Sequence, residues 1–339
     1  MKIMITGATG FIGNQLLNRL IGNGDQINLL CRSENKIFRN IPDVRIFPGD
    51  ITDSRSIERC MDGCDQVYHL AAYARNWAKN KKCFFEFNTR AVENILMSGI
   101  NQNVKKILFM STSVTFGPSG SELINENKKR TVAPYTLYEA SKVEAEIIVL
   151  RYLDKGLNTV TVNPTRLFGP GLLTEGNSVT KMIELFLKGK FRFILGDGNA
   201  IGNYAFIDDV VQGCINAMKK GKTGEKYILG GENLSYNDFF HSVAENSGKN
   251  FRMIHIPKLV GLSYSYLEKL LGQFSNHYPS ITPDWVRTFA VNWAFSCDKA
   301  SSEIGYKITP FNDALRKTIN WIMKNTNKQG VEDESIKFA

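Results

Sequence analysis

The sequence predicts an α/β protein, a doubly wound parallel sheet with a smaller C-terminal domain. Residues 2–5 form a short apolar run that ends in a glycine-rich turn and leads straight into a helical pattern. Strand-like and helix-like segments then alternate as far as residue 162, which is the signature of βαβ units with right-handed crossovers. Beyond Pro164 the alternation weakens, while glycine, proline and aromatic residues become frequent.

The first strand spans 2–5, and its apolar run bounded by glycine suits a strand buried on both faces. The following helix, 11–21, carries Ile12, Leu16, Leu17 and Leu20 on one stripe. Further strands are expected at 26–30, 44–47, 66–70, 106–110 and 159–162, with helical segments near 54–61, 84–98 and 137–153. These elements assign residues 1–165 to the first domain and 166–324 mainly to the second. The stretch 205–218 is expected to pack back on the sheet. The polar residues 325–339 read as a frayed tail.

At 339 residues the chain is long enough for a substantial core, and 43% hydrophobic with 22% charged residues argues against disorder. Lys and Arg exceed Asp and Glu by 42 to 33, a formal charge of +9, but the two signs interleave and form no basic stripe, so nucleic acid is not an expected partner. The six cysteines, at 31, 60, 64, 83, 214 and 297, form no C-x-x-C pair, and the four histidines are dispersed, so no metal site is expected. No signal peptide fits the start and no apolar stretch is long enough to span a bilayer, which leads to the expectation of a cytoplasmic protein with reduced thiols.

The first strand ends in Gly7-Ala8-Thr9-Gly10-Phe11-Ile12-Gly13. One glycine allows a tight turn, one lets the backbone approach a pyrophosphate, and one lets the helix pack against the strand. The free N–H groups and positive dipole end of that helix suit phosphates. The spacing Gly-x-x-Gly-x-x-Gly differs from the usual dinucleotide fingerprint, yet its place after the first strand supports a dinucleotide site of the Rossmann kind. An NAD site normally has a carboxylate at the end of the second strand for the ribose 2′-hydroxyl. Here Cys31-Arg32-Ser33 occupies that place. The guanidinium of Arg32, with Ser33 and Lys36 in support, suits a 2′-phosphate, so NADP(H) is favoured and NAD(H) remains possible.

Tyr138 and Lys142 lie four residues apart and share a face of the predicted helix. An ammonium near a phenol is expected to lower its pKa from about 10, making the tyrosine a proton donor or acceptor near neutral pH. With these motifs in this order, the chain resembles the extended short-chain dehydrogenase/reductase family, of the epimerase/dehydratase superfamily, from Lys2 to about Trp321. The resemblance matches Gly7, Gly10 and Gly13 to the glycine motif and Asp50, in Gly49-Asp50-Ile51, to the acidic residue that contacts adenine. It matches His69-Leu70-Ala71-Ala72 to the stretch beside the cofactor and Asn88 to a structural asparagine. Ser111-Thr112-Ser113 matches the hydroxyl-bearing strand end, the residues from Asn163 to Gly171 the loop on the nicotinamide, and Phe206-Ile207-Asp208-Asp209-Val210 a later signature.

The roles that follow are implied by the resemblance. Thr112 would bind the carbonyl oxygen, Tyr138 would protonate it, and Lys142 would lower the tyrosine pKa and hold the nicotinamide ribose. Ser113 stays open as the working hydroxyl. The implied cofactor contacts are Gly7, Thr9, Gly10, Phe11, Ile12, Gly13, Arg32, Asp50, Ile51, Leu70, Ala71, Ala72, Tyr138, Lys142, Pro164 and Leu167. Dehydratases of the family carry Asp-Glu after the catalytic threonine, whereas this chain has Ser113-Val114. Sugar-nucleotide epimerases often place an arginine just before the later signature. Here Gly202-Asn203-Tyr204 stands there, with Arg287 a possible substitute.

These features point to an NADP(H)-dependent reductase of a ketone or aldehyde, or the reverse oxidation. Two alternatives stay open: a nucleotide-sugar epimerase with tightly bound NAD, and a dinucleotide-sensing protein without turnover. The expected partner is a small carbonyl or alcohol, with a homodimer possible. The second domain, expected to bind the substrate, holds Leu259, Leu262, Tyr264, Tyr266, Leu267, Leu270, Leu271, Phe274, Trp285, Phe289 and Trp293. Most of these read as core and some as pocket wall, while 258–271 could also form an interfacial helix. The pattern is closest in style to the dihydroflavonol-reductase and 3β-hydroxysteroid-dehydrogenase branch.

Overall fold

The structure is a computed structural model. It describes the whole chain except residues 34–37, 39, 76, 275–278 and 337–339, and except the side chains of 175 and 326–336. The first half lays down six strands and the helices between them: β1 (Lys2–Thr6), α1 (Phe11–Leu20), β2 (Gln26–Cys31), β3 (Val44–Pro48), α2 (Ser54–Met61) and β4 (Gln66–His69). Next come α3 (Lys82–Phe85), a π-turn at Glu86–Arg90, α4 (Ala91–Asn101), β5 (Lys106–Met110), α5 (Leu137–Leu153) and β6 (Thr159–Pro164).

The remainder is more irregular. It contains β7 (Arg166–Phe168), α6 (Ser178–Leu187), β8 (Phe193–Leu195), β9 (Ile201–Phe206), α7 (Ile207–Lys220) and β10 (Lys226–Leu229). It closes with β11 (Glu232–Ser235), α8 (Tyr236–Ser247), β12 (Ile254–Ile256), α9 (Lys258–Phe274), α10 (Pro283–Phe289) and α11 (Phe311–Ile336).

Seven strands form the central sheet in the order β10-β6-β5-β4-β1-β2-β3, with every pair parallel. A parallel sheet is stable only when covered on both faces, and β1 shows how its residues divide. Ile3 and Ile5 enter the core cluster that holds α1 and α7, whereas Met4 enters the one that holds α2, α4 and α5. The period of two in the strand therefore feeds two helical layers. Helix starts are chemically marked: Asp53 caps α2 by accepting from the Arg55 and Ser56 N–H groups, and Thr136 caps α5 by accepting from Glu139 N–H.

The later segment returns to the sheet. α7 packs against β5, β6 and β10, and β10 itself is an edge strand of the central sheet, a membership the sequence pattern did not suggest. The rest forms a three-stranded sheet, β11-β9-β7, and a two-stranded one, β12-β8. The polar residues from Asn325, expected to fray, continue α11 to Ile336, because the buried stripe of Ala314, Leu315, Ile319 and Ile322 has already nucleated that helix.

The core expectation fails for one segment. In α9 the buried residues are Ser265, Glu268 and Gly272, whereas Leu259, Tyr264, Tyr266, Leu267, Leu270, Leu271 and Phe274 are all exposed. The reason is local: Glu268 is turned inward, where its carboxylate accepts from the Ser280 N–H and hydroxyl and from Tyr264 Oη, so the apolar stripe faces outward. Trp293, by contrast, is buried. Among the described residues no helix is long and apolar enough to cross a membrane, and no group of His, Cys, Asp or Glu is placed to hold a metal ion.

Candidate active site

β1 has β2 on one side and β4 on the other, so the chain order reverses at β1. Ligands of open α/β sheets bind at such a switch point, beyond the carboxyl ends of the strands. Gly7 lies there with φ +79°, and a Cβ on it would come within 2.7 Å of Ala71 N. Gly10 N donates to Gly7 O at 2.9 Å. A Cβ on Gly13 would lie only 2.1 Å from that same oxygen, so α1 and the turn can meet only through glycine. The helix starts at Phe11 with no side-chain cap, leaving its first N–H groups directed at the crevice. A cradle built this tightly, with free N–H groups at its mouth, fits a dinucleotide pyrophosphate.

The end of β4 is tied to this turn. The Thr6 hydroxyl accepts from Ala71 N at 3.2 Å and pairs with His69 Nδ1 at 2.8 Å. His69 is buried, and burial, then the nearby Lys142, pushes its pKa down to about 3, so the ring is neutral. Leu70 and Ala71 are partly exposed and Ala72, like Thr9, is exposed. Arg32 and Ser33 stand exposed directly after β2, and Lys36 lies outside the described residues. Asp50, after β3, uses one carboxylate oxygen to accept from the N–H and hydroxyl of Thr52, with Ile51 between them. Across the crevice, the buried Pro164 ends β6 and the buried Leu167 lies in β7, while Gln15 of α1 donates to Pro170 O at 3.2 Å.

α5 carries Tyr138 and Lys142 on one face. Asn88, in the π-turn, holds the helix to the β4 end: it accepts from Tyr73 N at 2.7 Å and donates to Ser141 Oγ at 2.9 Å. The Ser141 hydroxyl in turn donates to Tyr138 O at 2.8 Å. The Thr112 hydroxyl lies beside the Tyr138 phenol and favours its ionised form. Thr112 is half-buried after β5 and Ser113 is buried, and both border the cavity described below.

One expectation is reversed. Lys142 does not lower the tyrosine pKa here; burial pushes Tyr138 up to about 12, with Glu139 adding to the rise and the neighbouring Thr112 hydroxyl opposing it. The lysine is itself desolvated, donates to Met110 O at 2.6 Å, lies over the Phe109 ring, and falls to about 7 through burial, with Glu146 pulling the other way.

Two features were missed from the sequence. The first is a buried network beneath the pair. Glu146, one turn beyond Lys142, accepts from Ser111 Oγ, from Asn163 Nδ2 at 2.8 Å and from Lys226 Nζ. Asn163 also donates to Thr112 O at 3.0 Å, so the network fixes the backbone that presents Thr112. A Glu at i+4 from the lysine was the available signal.

The second is Arg166. It borders a cavity of about 80 Å³ together with Thr112, Ser113, Val114, Thr165, Asn203, Thr288, Trp293 and Phe295. Nη1 donates to Tyr236 Oη at 2.6 Å, and the guanidinium lies 4.6 Å from the Phe289 ring centre. A Cβ on Gly202 would be 2.4 Å from Nη1, so the glycine leaves room for this arginine. Arg287 instead pairs with Asp284 at 3.7 Å and does not border the cavity.

Comparison with known proteins places this architecture. The chain is 27% identical over 349 residues to the human short-chain dehydrogenase/reductase family 42E member 1, covering 94% of this chain and 86% of that protein. It is 25% identical over 329 residues to a putative dihydroflavonol 4-reductase of Synechocystis, covering 95% and 94%. The crystal structure of gox2253 superposes with a TM-score of 0.79 at 26% identity, covering 95% and 98%. That of the UDP-glucose 4-epimerase of Thermotoga maritima gives 0.79 at 22%, covering 96% and 100%, a likeness of fold. The family model that matches, over residues 3–230, is that of the NAD dependent epimerase/dehydratase family, and this chain, an enzyme of the extended short-chain dehydrogenase/reductase type, belongs to it.

Proposed function

We propose that the chain is an NADP(H)-dependent oxidoreductase that reduces a ketone or aldehyde to an alcohol, or runs the reverse, with Thr112, Tyr138 and Lys142 as its working side chains. The observation that carries this reading is that Thr112, on the cavity wall, neighbours the phenol of Tyr138, on the helix face it shares with Lys142. The bound nicotinamide supplies the hydride. Thr112 donates to the carbonyl oxygen and holds it beside the phenol. Tyr138, kept protonated through the neutral range, is the proton donor for the oxygen as negative charge develops there. Lys142, whose Nζ donates to Met110 O, is assigned to hold the nicotinamide ribose.

The relatives named as a dihydroflavonol 4-reductase and as a 3beta-hydroxysteroid-dehydrogenase/decarboxylase support a reductase over an epimerase. Ser113-Val114 in place of an acid–base pair argues against a dehydratase. One observation favours the epimerase reading: Arg166 fills the space beside Gly202, where the strand itself carries no arginine.

The test is substitution. Tyr138→Phe abolishes turnover while dinucleotide binding survives, and Thr112→Val lowers the rate more than Ser113→Ala. Near-normal turnover in Tyr138→Phe contradicts the assignment. For the cofactor, Arg32→Ala weakens NADPH binding by about 10- to 150-fold and leaves NADH nearly unchanged, because one charged hydrogen bond to the 2′-phosphate contributes about 1.5–3 kcal/mol. Equal losses for both cofactors contradict the role given to Arg32.

A further inference from the structure

We propose that Arg166 is the recognition group for an oxyanion on the substrate, so that the carbonyl compound this protein takes is an acid, bearing a carboxylate or a phosphate close to the reacting carbon. The proposal rests on the reductase reading above and narrows it to a substrate class.

Arg166 opens β7, directly beyond the carboxyl end of β6, and pairs in register with Tyr204 of β9. Among the described residues no carboxylate is paired with its guanidinium. Its neighbours are neutral: Tyr236, which takes the hydrogen bond from Nη1, the ring of Phe289, and the ring of Tyr204 with its centre 5.9 Å away. Nη2 and the Tyr204 hydroxyl are buried beside one another and have no other hydrogen-bond partner. A fixed positive charge held among rings, with donor capacity left over, is costly unless something negative completes it. The sequence keeps room for that charge, since any side chain at 202 would displace it.

The place of the charge gives it a use. Arg166 and Thr112 border the same cavity of about 80 Å³. The other polar wall is already committed. Asn203 accepts from Thr165 Oγ1 at 2.7 Å and from Gly231 N at 2.8 Å, and donates to Gly231 O and Asn233 Oδ1. Trp293 spends its indole N–H on Thr288 O at 2.7 Å. The guanidinium is therefore the charged donor on a wall whose other polar groups are bonded within the protein, apart from the hydroxyls of Thr112 and Ser113. A compact cavity with Thr112 for the carbonyl and Arg166 for the anion sets a short spacing between the two.

The test uses the whole protein saturated with NADP⁺ and needs no turnover. A short oxo acid, its methyl ester and inorganic phosphate are titrated into wild type, Arg166→Met and Arg166→Lys, each variant first shown to be folded by its thermal transition. Wild type binds at least one of the two anions more tightly than the ester. Arg166→Met weakens that binding roughly ten-fold or more, and Arg166→Lys recovers part of it because charge remains while the planar fork is lost. The tighter anion tells carboxylate from phosphate. In the kinetic arm, NADPH consumption shows an acid-over-ester preference, carried in KM more than in kcat, that collapses in Arg166→Met.

Anion affinities that are equal in wild type and Arg166→Met, or no anion binding in wild type, overturn the proposal. If anions bind through Arg166 but no carbonyl compound is reduced, the oxyanion site stands and the reductase reading fails. A nucleoside diphosphate sugar that binds through Arg166 and is inverted without cofactor consumption likewise keeps the oxyanion site and overturns the reductase reading.

Discussion

Lys142 is the residue at which the energetics of the fold meet the proposed chemistry. Its ammonium is buried among Phe109, Met110 and the Glu146 network, and burial lowers its pKa from 10.5 to about 7, with Glu146 opposing. Between those values the unfolded chain binds a proton that the folded chain does not, so this residue makes stability rise with pH across that window. Below about pH 7 the charge is held in the fold at a cost. The melting temperature of wild type should therefore rise, relative to Lys142→Met, between about pH 7 and about pH 9.5. A flat or falling difference would show that the ammonium is not buried as described. That Tyr138 and Lys142 share a helix face was legible from their spacing. Their pKa shifts were not, because spacing says that two groups share a face but not that water has been removed from both. Arg166 escaped notice for a related reason: its significance lies in Gly202, 36 positions later and on another strand.

At the scale of elements, glycine and hydrogen-bonded polar side chains set the site. Gly13 is read easily, because a strand, a glycine turn and a helix in succession leave few arrangements. The π-turn at Glu86–Arg90 is not readable, since it depends on Asn88 reaching both Tyr73 and Ser141. α9 shows the opposite failure. Its apolar spacing looks like a core stripe, but the buried Glu268 reverses the helix. Because Leu267 is exposed, Leu267→Gln should change unfolding free energy by no more than about 0.5 kcal/mol, whereas Ile183→Ala in the core should cost about 2–5 kcal/mol. Urea denaturation of both variants checks this. A loss of about 2 kcal/mol or more at Leu267 would mean that its side chain is buried in the folded protein. Most of the strands from β7 onward escaped the sequence pattern because all but the six-residue β9 are short and two of the sheets they build are small, so few residues alternate long enough to declare a period.

For the whole molecule, the alternation of strands and helices led to the doubly wound sheet, since parallel pairing requires covered crossovers of one hand. What alternation does not give is the return of β10 to the sheet edge, a contact between segments distant in sequence. The same scaffold serves reductases and epimerases, so function rests on how the site handles its cofactor and not on the fold. A reductase exchanges its dinucleotide at each turnover; an epimerase oxidises and re-reduces one that stays bound. The decisive measurement is the stoichiometry of reduced cofactor against product after exhaustive dialysis. The account predicts that the protein releases its dinucleotide and then consumes added NADPH one for one with the alcohol formed. Retention of NAD through dialysis, together with inversion of a nucleotide sugar at constant total reduced cofactor, would contradict it.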